Sequence, residues 1–389
     1  MTLRFRAPRR PGPVAGHAPA SPAGRIAGLL VAVLVPFVAF GVVIPVLPVL
    51  VTERLGGNAF AVGLAFAASG VATLIARPYA GQLAQRFGSR TIMIGGCLIA
   101  MVTGGLYALP VGIPGLVATR LLAGVAEAMV FTAGSVWVVT LAPEARRGEI
   151  VGYYGLSMWT GWTVGPILGL LLGMPSVWWL AGLAPLVAVG VLLLLGPQPA
   201  TGGAVSRRLI PKAVLLPGVA LAMAAFGYAA LTGFVALHLG ARGIHDGAAM
   251  VSLFGGAYVV VRILFGRLPD RVGPGRVVIF CGAVEALGLL LLTTAPTWWQ
   301  AAIGALAMGG GLTLLYPALA LVVIGRADEA ERGAALGAYT SFWDLGLGAA
   351  GLLAGMIALA GYPWVFAAAT ALAIGSAVIG HMVSSGSRR

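Results

Sequence analysis

Twelve runs of about twenty apolar residues follow one another along this chain. They lie at 26–51, 59–79, 91–109, 115–138, 149–172, 176–195, 213–239, 247–265, 277–294, 298–323, 333–355 and 361–383. A helix rises about 1.5 Å per residue, so about 20 residues cross the hydrocarbon core of a bilayer. In lipid the backbone must satisfy its own hydrogen bonds, which leaves helices or a closed barrel. The alternating ten-residue segments of a barrel are not found in the sequence. Composition agrees with spanning helices. The 389 residues are 59% hydrophobic and 9% charged, whereas a soluble domain carries about a quarter charged residues. The expected fold class is an all-α membrane protein of twelve transmembrane helices.

The net charge of +13 would suit a nucleic-acid partner, but its placement points to topology instead. The basic residues gather in the N-tail, at 77–90, at Arg146-Arg147, at 207–212, at 262–276, at Arg326 with Arg332, and at Arg388-Arg389. Arg54 and Arg242 fall on the opposite side, and Arg120 falls inside the fourth run. Positive charge marks the cytoplasmic face. Both termini are therefore expected in the cytoplasm of a bacterial inner membrane, with lipid as the main partner and no nucleic acid. Cys97 and Cys281 lie in apolar runs without metal-ligand spacing and read as free thiols. No cofactor or metal is expected.

Residues 1–25 are rich in Pro, Gly, Ala and Arg and read as a disordered cytoplasmic tail. Residues 196–212 read as a cytoplasmic linker between two six-helix bundles, 26–195 and 213–384, with a short tail at 385–389. The bundles are copies. A shift of 185 positions superposes Arg77 on Arg262, Gly81 on Gly266, Arg86 on Arg271, Gly88 on Gly273, Gly124 on Gly309, Tyr154 on Tyr339 and Gly161 on Gly346. Duplicated helix bundles are a transporter architecture, with the site near mid-membrane between the halves.

The stretch ARPYAGQLAQRFGSR (76–90) reads as the cytoplasmic turn between the second and third helices. Gly81 and Gly88 would permit a tight turn, and Arg86 and Arg90 would hold it at an anionic interface. It resembles the loop signature G-x-L-A-D-R-x-G-R-R of the major facilitator superfamily, with Gln85 in place of the acid. The later copy carries Gly266, Asp270, Arg271 and Gly273. Arg120 and Gly124 in LVATRLLAGVAEA resemble a second signature of that family. Gly152, Gly161, Gly165, Pro166 and Gly169 are similar to its antiporter signature G-x8-G-x3-G-P-x2-G-G, with Leu170 replacing the last Gly. The resemblance implies a drug:proton antiporter of two pseudo-symmetric bundles. It also implies that each loop latches the cytoplasmic side shut by facing a helix start in the opposite half. Asp270 would face the start of the fifth helix, and Gln85 that of the eleventh. A carboxylate at a helix N-terminus meets the positive end of the dipole.

Ionisable groups at membrane depth are costly and mark function. The sequence places Arg120, Glu127, Glu285 and Asp344 there. Arg120 and Glu127 are two turns apart on one face, with Gly124 between them and Phe131 and Ser135 beyond. Glu127 reads as a proton carrier or a structural acid, with Arg120 as its electrostatic partner. Asp344 lies on a small, polar stripe, and its repeat counterpart is Trp159. Glu285 reads as structural. Trp159, Trp343 and Tyr154 read as lining of an apolar, drug-sized cavity or as packing. No phosphate-binding loop, nucleophile elbow or zinc motif occurs, so no enzyme is expected.

The expected function is export of a small, largely apolar compound in exchange for protons, by a monomer. Proton-linked uptake of a sugar or organic acid is the alternative, and a non-transporting sensor or scaffold is the alternative of another class. The loop pair supplies a first prediction. A carboxylate interacts with a helix dipole more strongly than an amide does, so Asp270→Asn should lower transport rate more than Gln85→Ala does. Transport assays on the two single variants compare them directly.

Overall fold

The computed structural model describes residues 22–109, 111–143, 146–196, 212–327 and 332–385. The 1–21 part of the N-tail, the 197–211 part of the linker and residues 386–389 lie outside the described residues. The long helices are α1 (Pro22–Val43), α2 (Ala59–Phe87), α3 (Ser89–Tyr107), α4 (Gly112–Leu141), α5 (Arg147–Leu172) and α6 (Met174–Leu194) in the first half. The second half holds α7 (Lys212–Gly240), α8 (Ala249–Phe265), α9 (Pro274–Thr294), α10 (Trp298–Arg326), α11 (Arg332–Ala358) and α12 (Tyr362–Ser385). Among the described residues, 11 helical spans are long and apolar enough to cross a membrane, and α8 at 17 residues is a shorter apolar helix. The first of these spans runs on past Val43 to Arg54 through a turn and a wide helical turn at Leu50–Arg54.

One boundary departs from the sequence reading. The stretch 76–90 is not a turn for most of its length: α2 continues to Phe87. Ala, Leu, Gln and Arg favour helix, and one interior Gly at 81 is tolerated. The turn is confined to Gly88, which takes φ 87° and starts α3. Its copy Gly273 takes φ 95° and starts α9. Positive φ is strained for residues with a Cβ, which accounts for glycine at both places. In the second copy the helix breaks earlier, after Phe265, and a short helix Leu268–Val272 follows. Pro269 has no N–H to donate to the carbonyl of Phe265. Arg77 and Arg262, grouped above with the cytoplasmic loops, therefore lie inside α2 and α8.

The sequence repeat is also a packing repeat. Gly124 of α4 sits on the carbonyl of Ser69 in α2, and Gly309 of α10 sits on that of Phe254 in α8. Gly161 of α5 lies against Phe37 of α1, and Gly346 of α11 against Ala222 of α7. Tyr154 donates to the carbonyl of Phe131 at 2.7 Å, and Tyr339 to that of Tyr316 at 2.9 Å. Each of these pairs is related by the shift of 185. Small residues at these crossings let backbones approach, which is how helices associate where solvent gives no hydrophobic drive.

The halves meet along two seams. At the first, α2 and α11 run antiparallel with glycine against glycine. A Cβ on Gly70 would lie 2.8 Å from the amide nitrogen of Gly348, and one on Gly351 would lie 2.6 Å from that of Ala67. Gly63 packs on Gly351 and Gly355. At the second seam, Gly255 of α8 lies against Thr163 of α5. Both sets of contacts lie in the parts of the helices away from the chain ends. Towards the chain-end side, Gly81 has Thr132 of its own half as its one near neighbour among the described residues.

Glycine spacing at the seam gives a stability prediction. Gly70→Ala should cost about 1–3 kcal/mol by overpacking. Gly105→Ala, where the surroundings are open, should be near neutral or stabilising. Thermal denaturation of the two variants in the same detergent compares them.

Candidate functional site

The centre of the molecule is built by the seam between α2 and α11. Below the last glycine contact, Arg77 of α2 forms an ion pair with Asp344 of α11 across the two halves. Its Nη2 donates to Asp344 Oδ1 at 3.0 Å. The side chains are 14% and 3% exposed. The Arg77 guanidinium also lies over the ring of Phe131 of α4, at 5.2 Å from its centroid. Among the described residues, the other salt bridge joins Arg146 to Glu149 at the start of α5, so Arg77–Asp344 is the one that bridges the halves. Removing one partner of such a buried pair leaves an uncompensated charge, at a cost of about 3–5 kcal/mol.

Glu127 of α4 stands beside this pair. It is half-buried, has no hydrogen-bond partner among the described residues, and lies within electrostatic reach of Arg77, Asp344 and Arg120. Arg120 does not bond it. Its Nε donates to the carbonyl of Ala65 at 3.1 Å, its Nη2 to Ser69 Oγ at 2.5 Å and its Nη1 to Tyr107 Oη at 3.4 Å. Arg120 is thus committed to α2 and α3, with Phe66 beneath it. The expected stripe divides in two. Arg120 and Gly124 are buried against α2, while Glu127, Phe131 and Ser135 keep accessible surface.

An aromatic cluster completes the centre. Trp159 of α5 stacks on Tyr258 of α8 with ring centroids 3.9 Å apart. It meets Trp343 of α11 edge-on at 5.9 Å and Tyr228 of α7 at 5.8 Å. Trp159 and Asp344 occupy equivalent positions in the two halves. Each reaches the opposite half, one through an aromatic face and the other through a charge. Tyr154 stands apart from the cluster. It is buried with its hydroxyl bonded to its own half, so it packs rather than lines.

Arg77 is the residue that the sequence reading misses. A signal is present: a helix starting at Ala59 needs about 20 residues to cross, which carries it close to position 77. Arg262, its copy, bonds the carbonyl of Thr313 in its own half at 3.2 Å, because its counterpart of Asp344 is Trp159. Tyr228 and Tyr258 carry no sequence signal either, since their pairing with Trp159 is entirely tertiary.

Other predicted residues lie elsewhere. Gly161, Gly165 and Gly169 of α5 pack on the backbone of α1 at Leu34–Val42, and Pro166 lies beside Gly41. Gly152, at the chain-end side of α5, faces open space. Glu285 is fully buried in α9 beside Gly227 of α7 and Gly311 of α10, with neither oxygen bonded among the described residues.

Among the described residues, Asp270 makes no bond to the start of α5, which it was expected to face, although Arg267 of the same loop lies within electrostatic reach of Glu149 there. Asp270 is exposed in the short helix Leu268–Val272. The start of α5 carries its own acid: Glu149 accepts from Arg146 at 2.9 and 3.1 Å and from Tyr153 at 3.0 Å. Gln85 is half-buried, and the α11 start that it was expected to face lies at residues whose side chains are outside the described set. Arg86 covers Phe87, and Arg90 donates to the carbonyl of Leu193 at the end of α6, satisfying a helix C-terminus. Gly266 and Arg271 flank the break after α8.

Comparison with known proteins agrees with this architecture. The family model described as Major Facilitator Superfamily matches residues 29–245 and 215–384. The uncharacterized MFS-type transporter YhhS of Escherichia coli (strain K12) is 32% identical over 365 residues, covering 90% of this chain and 89% of that protein. The uncharacterized MFS-type transporter STM4428 of Salmonella typhimurium is 30% identical over 368 residues, covering 90% and 94%. Among solved structures, the human organic anion transporter MFSD10 (TETRAN) superposes with a TM-score of 0.73 at 17% identity, covering 93% of this chain and 100% of that one. A point mutant of the nucleoside transporter NupG gives 0.73 at 12% identity, covering 92% and 99%. The two structures share the fold. With duplicated six-helix halves, a charged centre between them and bacterial relatives along nearly its whole length, this chain belongs to the major facilitator superfamily of membrane transporters.

Proposed function

We propose that this transporter exports a small, largely apolar compound in exchange for protons, by alternating access about the Arg77–Glu127–Asp344 centre. The observation that carries the reading is the convergence of three ionisable side chains and four aromatic rings at mid-depth between the halves. Ionisable groups at this depth in a secondary transporter serve an ion or a substrate. Phe131, Trp159, Trp343, Tyr228 and Tyr258 give the centre a largely aromatic lining, which suits an apolar substrate. The spans that form the centre carry no Asn or Gln there, so hydroxyl-rich substrates would find few neutral partners. Arginine placement sets the chain ends in the cytoplasm of a bacterial inner membrane. With that orientation, the glycine seams lie towards the outer side of the centre. The glycine pattern of α5 supports the export direction by its resemblance to the antiporter signature. The proton is the coupling ion and the protein works as a monomer.

Reconstitution in vesicles with an imposed pH gradient tests the reading. Flux of a lipophilic test compound should fall when an uncoupler collapses the gradient, and unchanged flux would exclude proton coupling. Glu127→Gln and Asp344→Asn should each reduce gradient-driven flux by about tenfold or more, a barrier change of about 1.4 kcal/mol. Glu285→Gln, away from the centre, should transport like the parent protein, since an amide occupies the same buried volume without a charge to desolvate.

A further inference from the structure

We propose that Arg77 is the switching element of this centre: a guanidinium shared between Asp344 of the opposite half and Glu127 of its own half, so that protonating Asp344 unties the halves. The inference rests on the proton-coupled reading above and assigns distinct tasks to the two acids within it.

The geometry supplies three observations. Arg77 lies at the edge of the seam, where the glycine contacts of α2 and α11 end. Between Gly63 and Gly70 the helices are held by backbone packing, but at 77 they are held by charge. Its bond to Asp344 is the one ion pair between halves among the described residues. Glu127 lies within reach of the same guanidinium, with accessible surface and no bonded partner among the described residues. The duplicated position shows what the pair adds. Arg262, for which the repeat counterpart of Asp344 is Trp159, bonds a carbonyl of its own half instead. Without an acid across the seam, the same arginine makes no tie.

Titratable groups from seven helices face this centre. Arg77 comes from α2, and Arg120 and Glu127 from α4. Asp344 comes from α11. Tyr154 of α5, Tyr228 of α7, Tyr258 of α8 and Tyr316 of α10 stand around them. Arg120 is saturated by α2 and α3. The hydroxyls of Tyr154 and Tyr316 are bonded to the Phe131 carbonyl and the Thr340 hydroxyl. Arg77 is thus the charged donor not fixed by its own half, and Glu127 is the acceptor left to take it.

The step balances simply. One proton from solvent binds an Asp344 carboxylate oxygen, and the carboxyl becomes neutral. The guanidinium keeps its protons and its charge, leaves Asp344 and pairs with Glu127. The seam loses its charge tie, while the α5–α8 seam, with Trp159 stacked on Tyr258, has no comparable titrating pair among the described residues. Arg77 is a positioning residue here, acting on the seam rather than on substrate.

The test uses the full chain with Cys97→Ala and Cys281→Ala, spin-labelled at Phe87 and Phe265, two exposed positions at the ends of α2 and α8. The separation of the labels is measured between pH 5 and pH 8 in lipid nanodiscs without substrate. The expected result is a pH-dependent separation in the parent, and a single, low-pH-like distribution at every pH in Asp344→Asn. Glu127→Gln should need a higher proton concentration to reach the same separation, because Arg77 then has no second carboxylate. The charge exchange Arg77→Asp with Asp344→Arg should restore a high-pH-like distribution that Arg77→Asp alone lacks, which separates loss of the tie from misfolding. A parent separation indifferent to pH, or a pH response surviving in Asp344→Asn, overturns the proposal. Flux in vesicles is read separately. Gradient-driven flux with an unswitched seam removes the Arg77 inference alone. A switching seam with gradient-independent flux removes the antiport reading alone.

Discussion

How closely α2 and α11 approach determines what can happen at the centre. Gly63 and Gly70 on one helix and Gly348, Gly351 and Gly355 on the other let two backbones touch where any side chain would hold them apart. That contact brings Arg77 within bonding distance of Asp344 although 267 positions separate them in sequence. In lipid, where apolar side chains gain little by leaving their solvent, backbone approach and polar bonds supply the specificity of association. The centre is a product of the seam, because the approach of the two backbones sets the gap that the Arg77 side chain has to span.

The duplication explains both the regularity and its exceptions. The tyrosine-to-carbonyl bonds, the glycine-on-carbonyl crossings and the positive-φ glycines recur at the same shift, so both halves are built by the same rules. Two positions where the halves face each other have also diverged. Trp159 and Asp344 are copies that took different chemistry, and Arg77 and Arg262 accordingly took different partners. The crossing glycines and the bonded tyrosines kept their residue types because each half must pack by itself. The facing positions were free to specialise because together they form one site.

Much of the fold was legible because lipid imposes simple rules. Run length and a constant repeat offset indicate helix number and the two halves without any tertiary information. The centre was legible only in part. Glu127 and Asp344 stand out as acids in apolar runs. Arg77 does not, because it precedes a basic, glycine-bearing stretch that reads as a loop, and the helical propensity of Ala80–Phe87 outweighs the single Gly81. Arg120 lies within electrostatic reach of Glu127, as expected, but its hydrogen bonds go elsewhere, and the sequence does not show it. Spacing along one helix shows which face two residues share, but Ser69 and the Ala65 carbonyl, which claim the guanidinium, sit on another helix. For Tyr154 the sequence leaves cavity lining and packing both open, because an aromatic ring in a span does not reveal where its hydroxyl is bonded.

The paired tyrosine bonds bear on how force would travel through the molecule. Tyr154 fastens α5 to α4 five residues before Trp159, and Tyr339 fastens α11 to α10 five residues before Asp344. Each helix that reaches across to the opposite half is therefore riveted to its own half next to the point of contact. A pull or release at Trp159 or Asp344 is not absorbed by local bending. It loads the whole six-helix body, as a short lever arm clamped near its tip loads its mount, so a displacement at one side chain is handed on as the rotation of a half.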